Sequence, residues 1–496
     1  MPMLDFMNKI LSCFESCFSR KAAFRWFVII TVGLMLRSDK LGVTSVIRDL
    51  ALKPDCYLSM LHFFRASSWS LEGIRQCWFQ TVSRFLPLCQ EDGFHILVGD
   101  GVKQSKEGRR IPGVKKLCQE SENSAKPQFI HGHMFGGLGI LAGSIHSLTC
   151  IPLSIRLHDG LQELRNWDSP CISNASHVIQ MIEDAYEAAK VFGDSLLLLD
   201  RYFLSVPALT RLRELTKEGS VHMEIVTKAK RNCIAYEKPS TRKPGRGRPA
   251  KKGNAVHLKE LFHSHKEKFL QTELELYGKK EKIRYYSIDL LWGQKLYQEL
   301  RFVLVEYNGV QSILAGTSLS IEPLSMIRLY SYRFRIECTF RELKQQLGGF
   351  CYHFWSKHMP KIDYYRKKTE PTPLEQVTDN YSRKKIMEAI RAIEMHMALS
   401  CIAMGTIQAL AIQAEGKLRS EQIRYQRTPS KGKISEGAMM CYLRKYIFHF
   451  MGQSPELRIT QLIQEMQEMS VIDKDLRVCK IICVNHHRLF DTSIFV

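Results

Sequence analysis

Residues 195–200, SLLLLD, form the clearest buried strand that the sequence predicts. Four consecutive leucines leave no polar face, which is typical of a strand covered on both sides. A second apolar run, FHILVG at 94–99, ends at Asp100-Gly101, much as the first ends at Asp200. An aspartate at the end of one strand is common, but ligands and catalytic groups collect where neighbouring strands of an α/β sheet end. As a pair, Asp100 and Asp200 are therefore candidate site residues, whose mutual repulsion a divalent cation would relieve.

The elements around these two strands predict a mixed α/β sheet with helices on its faces. Hydrophobic patterning predicts further strands at 128–136, 148–157 and 221–229, and helices at 174–191 and about 207–215. In chain order this gives three strands, a helix, a strand, a helix and a strand. The order resembles the RNase H fold, in which metal-binding carboxylates sit at the ends of adjacent strands.

Changes in pattern divide the chain into five predicted regions. They are a helical N-terminal region at 1–90, the first part of an RNase H-like core at 91–229, a β-rich insertion at 230–317, the second part of the core at 318–379, and a helical C-terminal region at 380–496. The second part of the core contains a helix predicted from about Pro323 to Leu347. Residues 1–90 fit a small DNA-binding unit and a plain packing domain equally well.

The charge of the chain favours a polyanion as its partner. The 496 residues include 71 lysines and arginines against 50 aspartates and glutamates, a formal net charge of +21. Basic side chains that neutralise phosphates release condensed counterions, so this excess favours nucleic acid over a basic surface that serves solubility alone. The apolar run from Trp26 to Leu36 is shorter than the ~20 residues that cross a bilayer. It predicts a buried core helix, and no membrane partner is expected.

The predicted helix in the second part of the core carries the most specific pattern, YSYRFRIECTFRELKQQLGGF. Tyr330, Arg333, Glu337 and Lys344 are spaced by 3, 4 and 7 residues, which brings all four to nearly one face of an α-helix. That face would present a phenol, a guanidinium, a carboxylate and an ammonium group. A solvated face with an ordinary Arg333–Glu337 ion pair explains the spacing equally well.

The pattern Tyr-x2-Arg-x3-Glu-x6-Lys resembles the YREK signature of bacterial insertion-sequence DDE transposases, which cut and paste DNA. The aspartate-glycine turn after the first strand, DRYF at 200–203 and the β-rich insertion before the glutamate helix agree with this resemblance, which covers roughly residues 94–357. It implies that Asp100, Asp200 and Glu337 are the catalytic residues. They would bind two Mg²⁺ ions, for which Mn²⁺ would substitute.

The resemblance also implies roles for the remaining residues of the signature and for the partners. Tyr330, Arg333 and Lys344 would hold the phosphates of the transposon end beside the bond to be cleaved. The DNA partners would be the inverted repeats of the transposon and a target DNA, bound by a homodimer on paired ends. The implied location is the bacterial cytoplasm, at the nucleoid.

Three further features are candidate DNA contacts with ordinary alternatives. Some relatives stack a flipped base on an aromatic residue of the insertion, and Trp292 is the candidate here, although a core tryptophan is the usual outcome. Arg246 and Arg248 in RGRP resemble an AT-hook, which lays arginines along an A·T minor groove; a solvated linker is the alternative. His131 and His133 alternate on a predicted strand and share one face, so packing or DNA contact is favoured over a metal site.

Two rival functions remain open at this point. One is an RNase H-fold nuclease that cuts DNA without joining an end to a target. The other is a non-catalytic DNA-binding protein derived from a transposase. The helix signature and insertion disfavour the first, and the complete set of three acidic residues disfavours the second.

Overall fold

The fold was analysed in a computed structural model of the chain. It describes residues 3–40, 42–119, 127–144, 147–161, 167, 175–239, 250–365, 370, 373–418 and 433–467.

Helices cover both ends of the described chain and the faces of a central sheet. The α-helices are α1 (Met3–Ser12), α2 (Lys21–Leu36), α3 (Val43–Asp49), α4 (Cys56–Phe63), α5 (Leu71–Phe85), α6 (His177–Phe192), α7 (Val206–Glu218), α8 (Leu261–Ser264), α9 (Pro323–Ser331), α10 (Arg335–Glu342), α11 (Asn380–Ala414), α12 (Glu436–Gln453) and α13 (Arg458–Gln464). Helix α2 is buried along most of its length, which confirms the core helix predicted from its apolar run.

One mixed sheet joins thirteen strands within the described residues. The strands are β1 (Gln90–Glu91), β2 (Phe94–Ser105), β3 (Lys115–Cys118), β4 (Phe129–Ala142), β5 (Thr149–Leu157), β6 (Ser195–Leu199), β7 (Met223–Lys228), β8 (Ile234–Tyr236), β9 (Ala255–His257), β10 (Leu270–Leu276), β11 (Lys279–Trp292), β12 (Gln298–Tyr307) and β13 (Val310–Gly316). From one edge the order is β3-β4-β2-β6-β7-β13-β12-β11-β8-β9, with β5 beside β4, β1 beside β2 and β10 beside β11.

The order β5-β4-β2-β6-β7 is the part of the sheet that places the candidate site. Strands β5, β4 and β2 are antiparallel neighbours, whereas β6 and β7 run parallel to β2. This mixed arrangement, with helices on its faces, is compatible with a DDE or RNase H-like fold, as the sequence predicts. The strands at 230–317 extend the same sheet, because β13 pairs with β7.

Two element boundaries differ from the sequence prediction. Strand β2 does not end at Asp100 but continues to Ser105, because β4 supplies hydrogen-bond partners along residues 97–105. The helix predicted from Pro323 to Leu347 is interrupted between α9 and α10. There, the amide of Arg333 donates to the Tyr330 carbonyl and that of Arg335 to the Tyr332 carbonyl, so the backbone tightens into i→i+3 turns.

After α10 the chain loosens into a π-helical turn at Leu343–Leu347. The four signature residues are therefore not held on one uniform helix as the 3.6-residue period predicts. Tyr330 lies on α9, Arg333 in the interruption, Glu337 on α10 and Lys344 in the π-turn. Such irregular turns inside helices occur frequently at functional sites.

Helix α11 is long and apolar enough to cross a membrane by length and composition alone. Buried core helices pass the same test, and 89% of its most apolar stretch is buried inside the protein. Its neighbours include β5 and α2, so it joins the sheet to the N-terminal helices. The Asp379 carboxylate caps its first turn by accepting from the Ser382 amide at 2.7 Å.

Candidate active site

The structure brings the two aspartates level with each other on adjacent parallel strands. Strand β2 pairs with β6 from His95↔Ser195 to Val98↔Leu198, so two residues further along Asp100 and Asp200 lie side by side. The Gly101 amide donates to Asp100 Oδ1 at 2.7 Å. The carbonyl of Asp200 accepts from Thr227 Oγ1 at 2.8 Å, which ties the turn after β6 to β7.

Arg333 connects this pair of aspartates to the glutamate of α10. Its Nη1 donates to Asp100 Oδ2 at 3.1 Å, and its Nη2 donates to Glu337 Oε1. The Arg333 side chain is only 15% exposed, whereas that of Glu337 is 54% exposed. One guanidinium thus neutralises two of the three predicted catalytic carboxylates, and Glu337 stays open to solvent.

The charges of Glu337 and Asp200 both act on Asp100. The pKa of Asp100 is raised to about 6, chiefly by burial; the charge of Arg333 opposes this rise, and the charges of Glu337 and Asp200 add to it. Burial also raises the pKa of Tyr330, with Arg333, Asp200 and Asp100 as the charged groups around it. Three of the four signature residues therefore lie at the aspartate pair, as predicted. The perturbed pKa of Asp100, beside Arg333 and two further acidic residues, favours a functional site over a solvated helix face.

Lys344 lies along β2 rather than at the aspartates. Its Nζ donates to the Lys103 carbonyl at 3.3 Å and lies 5.5 Å from the centre of the Phe350 ring. Lys103 follows Asp100 by three residues on the same strand. The ammonium group therefore extends the cationic surface along the strand beyond the carboxylates, where a phosphate backbone would run.

The carboxylate set suits a hard divalent cation in its chemistry, because Mg²⁺ takes oxygen ligands. In the described part of the chain, however, no group of three or more His, Cys, Asp or Glu side chains lies close enough to hold a metal ion. Arg333 accounts for the separation of these carboxylates, since its guanidinium lies between Asp100 and Glu337. The carboxylate oxygens fit Mg²⁺ as ligands, and a site in which all three carboxylates contact the ion requires Arg333 to release Asp100 or Glu337.

Replacing Arg333 with methionine should tighten Mn²⁺ binding by the DNA-free protein about tenfold, because both carboxylates lose their competing cation. Isothermal titration calorimetry measures this affinity without any reaction. Arg328→Met is the matched control, since Arg328 pairs with Glu91 outside the carboxylate set. Unchanged or weaker binding in Arg333→Met would show that this arginine does not compete for the site.

The other predicted contacts are placed differently. Trp292 ends β11 and packs, partly buried, against the core, in agreement with the ordinary alternative. Its neighbour Gly293 nevertheless approaches the start of α7, where a Cβ added to it would lie 3.2 Å from Val206 Cγ2. The hairpin after Trp292 therefore reaches the segment that follows Asp200. Arg246 and Arg248 lie outside the described residues, so their predicted minor-groove contact stays a prediction.

A buried polar cluster beneath α10 was not predicted from the sequence. Lys106 is buried and donates to the Phe350 carbonyl at 2.7 Å and the Tyr352 carbonyl at 3.1 Å. Nδ1 of His133 lies 2.5 Å from the Tyr352 hydroxyl. His133 thus has a packing role, one of the two alternatives that the sequence favoured. The sequence around Lys106 could not predict this burial, because its carbonyl partners lie 244 and 246 residues further along the chain.

Two buried histidines of this cluster predict a pH dependence of stability. Burial lowers the pKa of His133 to about 4 and that of His396 to about 3, so both are neutral in the fold. In the unfolded chain they take up protons near pH 6.5. Stability is therefore retained above pH 6.5 and lost as the pH falls towards 4, by about 2 kcal/mol per histidine between pH 7.5 and 5.0.

Urea denaturation of His133→Gln and of the parent at these two pH values checks this expectation. The variant should lose about 2 kcal/mol of the stability difference between pH 7.5 and 5.0, because His396 and also His177, whose pKa burial lowers to about 3, keep their contributions. The variant must be compared with the parent, because the absolute pH dependence of stability also contains the contribution of Asp100. The raised pKa of Asp100 makes the fold more stable as the pH falls below 6, which is opposite to the effect of the histidines. His257→Gln, at an exposed histidine, should leave the slope unchanged. An equal slope in His133→Gln would contradict the assignment.

A second hydrogen-bonded chain approaches the aspartates from α6. Nε2 of His158 lies 2.9 Å from Asp184 Oδ2, and its Nδ1 lies 2.8 Å from Nδ1 of His177. A Cβ added to Gly101 would lie 3.1 Å from His177 Nε2, so the imidazole packs directly on the strand beside Asp100. Only a glycine leaves that space. The sequence held one cue to this contact, the glycine that follows Asp100.

Comparison with known proteins gives a match over part of the chain. Residues 13–157 match a family model described as DDE superfamily endonuclease. This stretch includes Asp100 and stops before Asp200 and Glu337. It supports a relationship to DDE transposase-like enzymes, which typically use divalent metals, and suggests a nuclease that acts on DNA. Neither the curated proteins nor the solved structures gave a match to the chain.

Proposed function

We propose that the chain is a DNA transposase that cleaves DNA at transposon ends and transfers the strand into a target. The observation that carries the proposal is the level placement of Asp100 and Asp200 on adjacent parallel strands, with Glu337 joined to Asp100 through Arg333. The match to the DDE superfamily endonucleases supports the nuclease part of this activity. Strand transfer rests on the resemblance of the helix signature.

In this proposal Asp100, Asp200 and Glu337 hold the divalent ions. Bound there, the ions would activate an attacking oxygen and stabilise the leaving oxygen of an in-line displacement at phosphorus. The chain itself supplies the geometry: the strand register fixes the spacing of the aspartates, and α10 presents Glu337 from the side. The partly exposed Glu337 leaves the site open to a DNA strand.

In this proposal Arg333 and Lys344 bind the phosphates of the DNA. Arg333 exchanges its two carboxylate partners for a phosphate when DNA and metal arrive, because a guanidinium binds phosphate oxygens in the same bidentate way. Lys344 contacts the backbone further along β2. Buried Tyr330, whose pKa is raised, keeps its proton and donates a hydrogen bond beside the carboxylates.

The test is a cleavage and joining assay with the purified full-length chain. The substrate is linear DNA ending in the inverted repeats that flank the gene, mixed with a supercoiled plasmid target and Mg²⁺, Mn²⁺ or EDTA. Metal-dependent cleavage at the repeats with joined products supports the transposase. Cleavage without any joining would favour an RNase H-fold nuclease. Absence of cleavage with both metals would leave a non-catalytic DNA-binding protein and sink the proposal.

A further inference from the structure

We infer that a cleft between the N-terminal helices and α11 binds the phosphate backbone of one DNA strand. This inference rests on the proposed function, since it assumes that the chain acts on DNA. The cleft has a volume of about 1490 Å³, larger than the roughly 300–1,000 Å³ typical of small-molecule sites. Its size therefore suits an extended polymer better than a single small ligand.

The cleft is built from elements far apart in the sequence, and we call it the α4–α11 cleft. Its walls are the start of α2, the exposed side of α4, the segment 65–70 and the first half of α11, and its floor is the end of β5. Residues that line it and enter the argument are Arg20, Arg65, Arg75, Arg156, Lys384 and Arg391.

Three of these cations have no carboxylate partner in the part of the chain that the structure describes. Arg20, Arg65 and Lys384 are exposed and form no ion pair there. By contrast, Arg75 pairs with Glu72, and Arg156 pairs with Asp184. The three unpaired cations come from three different walls, so together they surround the opening with positive charge.

The acidic groups of the cleft do not cancel this charge. Glu72 is neutralised by Arg75, and Glu388 pairs with Lys385 at 2.8 Å. Glu394, the third acidic residue of the lining, accepts from the Leu157 amide and acts on the charge of Arg156. Arg391 is held flat over the Trp69 ring, with its guanidinium carbon 4.3 Å from the ring centre. The surplus is therefore positive, and phosphate is the group that such a surplus recognises. Ser59 and Ser67 on the same walls add hydroxyl donors of the kind that contact phosphate oxygens.

The strand register relates the cleft to the strand that carries Asp100. Gly101 pairs with Gly136, and Gly136 pairs with Arg156, so one row across the sheet runs from the residue after Asp100 to the floor of the cleft. Two strand spacings separate Gly101 from Arg156, or about 10 Å. His158, which also lines the cleft, hydrogen-bonds to the imidazole that packs on Gly101. Because side chains alternate along a strand, this row faces the side of the sheet that α6 covers, opposite to the Asp100 side chain, so in this inference the cleft is a second DNA-contacting surface, separate from the carboxylates.

The experiment compares DNA binding by the full-length parent and by the triple variant Arg20→Ala/Arg65→Ala/Lys384→Ala. Fluorescence anisotropy measures Kd for a labelled single-stranded oligonucleotide and for the matching duplex, from 0.05 to about 0.5 M salt. Losing three phosphate contacts should reduce the salt slope for the single strand by about 2 and weaken binding about 100-fold at 0.1 M salt.

The matched control removes the same charges elsewhere, as Arg213→Ala/Arg231→Ala/Lys217→Ala. These two arginines and one lysine are exposed and do not line the cleft. Binding by the control should change less than about threefold. Equal weakening in both variants, unchanged single-strand binding in the cleft variant, or an effect on the duplex alone would each overturn the inference. If the parent binds neither probe, the proposed function fails as well.

A cross-linking measurement keeps the inference testable if the triple variant folds poorly. Leu58 is 72% exposed and lines the cleft, so a photoreactive amino acid placed there should leave the fold intact. We expect it to cross-link to the single-stranded probe in the parent background, whereas the same group at Lys217 should not. Cross-linking at Lys217 alone would place the strand outside the cleft.

Discussion

Replacing Glu337 with glutamine is expected to lower the rate of metal-dependent DNA cleavage at least about 1000-fold, a barrier increase of about 4 kcal/mol. The amide keeps the size of the side chain and removes the negative charge that a divalent ion requires. Asp100→Asn and Asp200→Asn should cost about as much. Combining two of these changes should add little, because residues that act as one unit are not additive.

The measurement is the cleavage assay with repeat-ended DNA, run beside a binding assay on the same protein. DNA binding should persist in Glu337→Gln, since losing a negative charge does not weaken attraction for phosphate. Glu342→Gln, at the end of the same helix and paired with Arg341 instead, should cleave at the rate of the parent. More than about a tenth of parental activity in Glu337→Gln would remove this residue from the catalytic set.

Replacing Arg37 with leucine is expected to lower the free energy of unfolding by about 3 kcal/mol. Arg37 follows α2 and is 1% exposed. Its Nε and Nη2 donate to the Leu347 carbonyl at 3.1 and 2.6 Å, and Nη2 also donates to the Gly348 carbonyl at 2.8 Å. These carbonyls end the π-turn that follows α10. Leucine would leave the buried Leu347 carbonyl without the Arg37 donor, whereas the Gly348 carbonyl would still accept from the Cys351 amide at 3.0 Å.

Chemical denaturation followed by tryptophan fluorescence measures the change in stability. Arg25→Leu is the matched control, because Arg25 lies on the same helix and forms a solvent-exposed ion pair with Glu465. Such pairs contribute at most about 1 kcal/mol. If both variants lower the free energy of unfolding equally, the hydrogen bonds from Arg37 to the carbonyls of the π-turn are not the source of its contribution to stability.

Arg37 also explains how the N-terminal helices act on the candidate site. Its side chain holds the end of the segment that carries Glu337 and Lys344, while Arg444 of α12 donates to the Leu36 carbonyl at 2.9 Å. Three parts of the chain far apart in sequence thus meet where the catalytic segment ends. For this reason residues 1–90 contribute to packing of the core, whether or not they also contact DNA.

Much of the core sheet could be predicted from the sequence because its signals are local. SLLLLD and FHILVG are continuous apolar runs, and the structure forms strands at both. The predicted helix at 174–191 corresponds to α6, since its apolar positions repeat with the helical period. The length of β2 could not be predicted, because the part beyond Asp100 pairs with residues of β4 that lie 27 to 35 positions away, from Ser105↔Gly132 to Gly101↔Gly136.

For the candidate site, too, some features follow from the sequence and others only from the tertiary structure. The sequence by itself determined which groups are present, two strand-end aspartates and a Tyr-Arg-Glu-Lys pattern, because composition and spacing are properties of the chain alone. Only the tertiary structure decided that Asp100 and Asp200 lie level, that the catalytic helix breaks at Arg333, and that this arginine bridges Asp100 to Glu337. Strand register, a helix interruption and an ion pair across 233 residues all depend on contacts between distant segments, which no local pattern encodes.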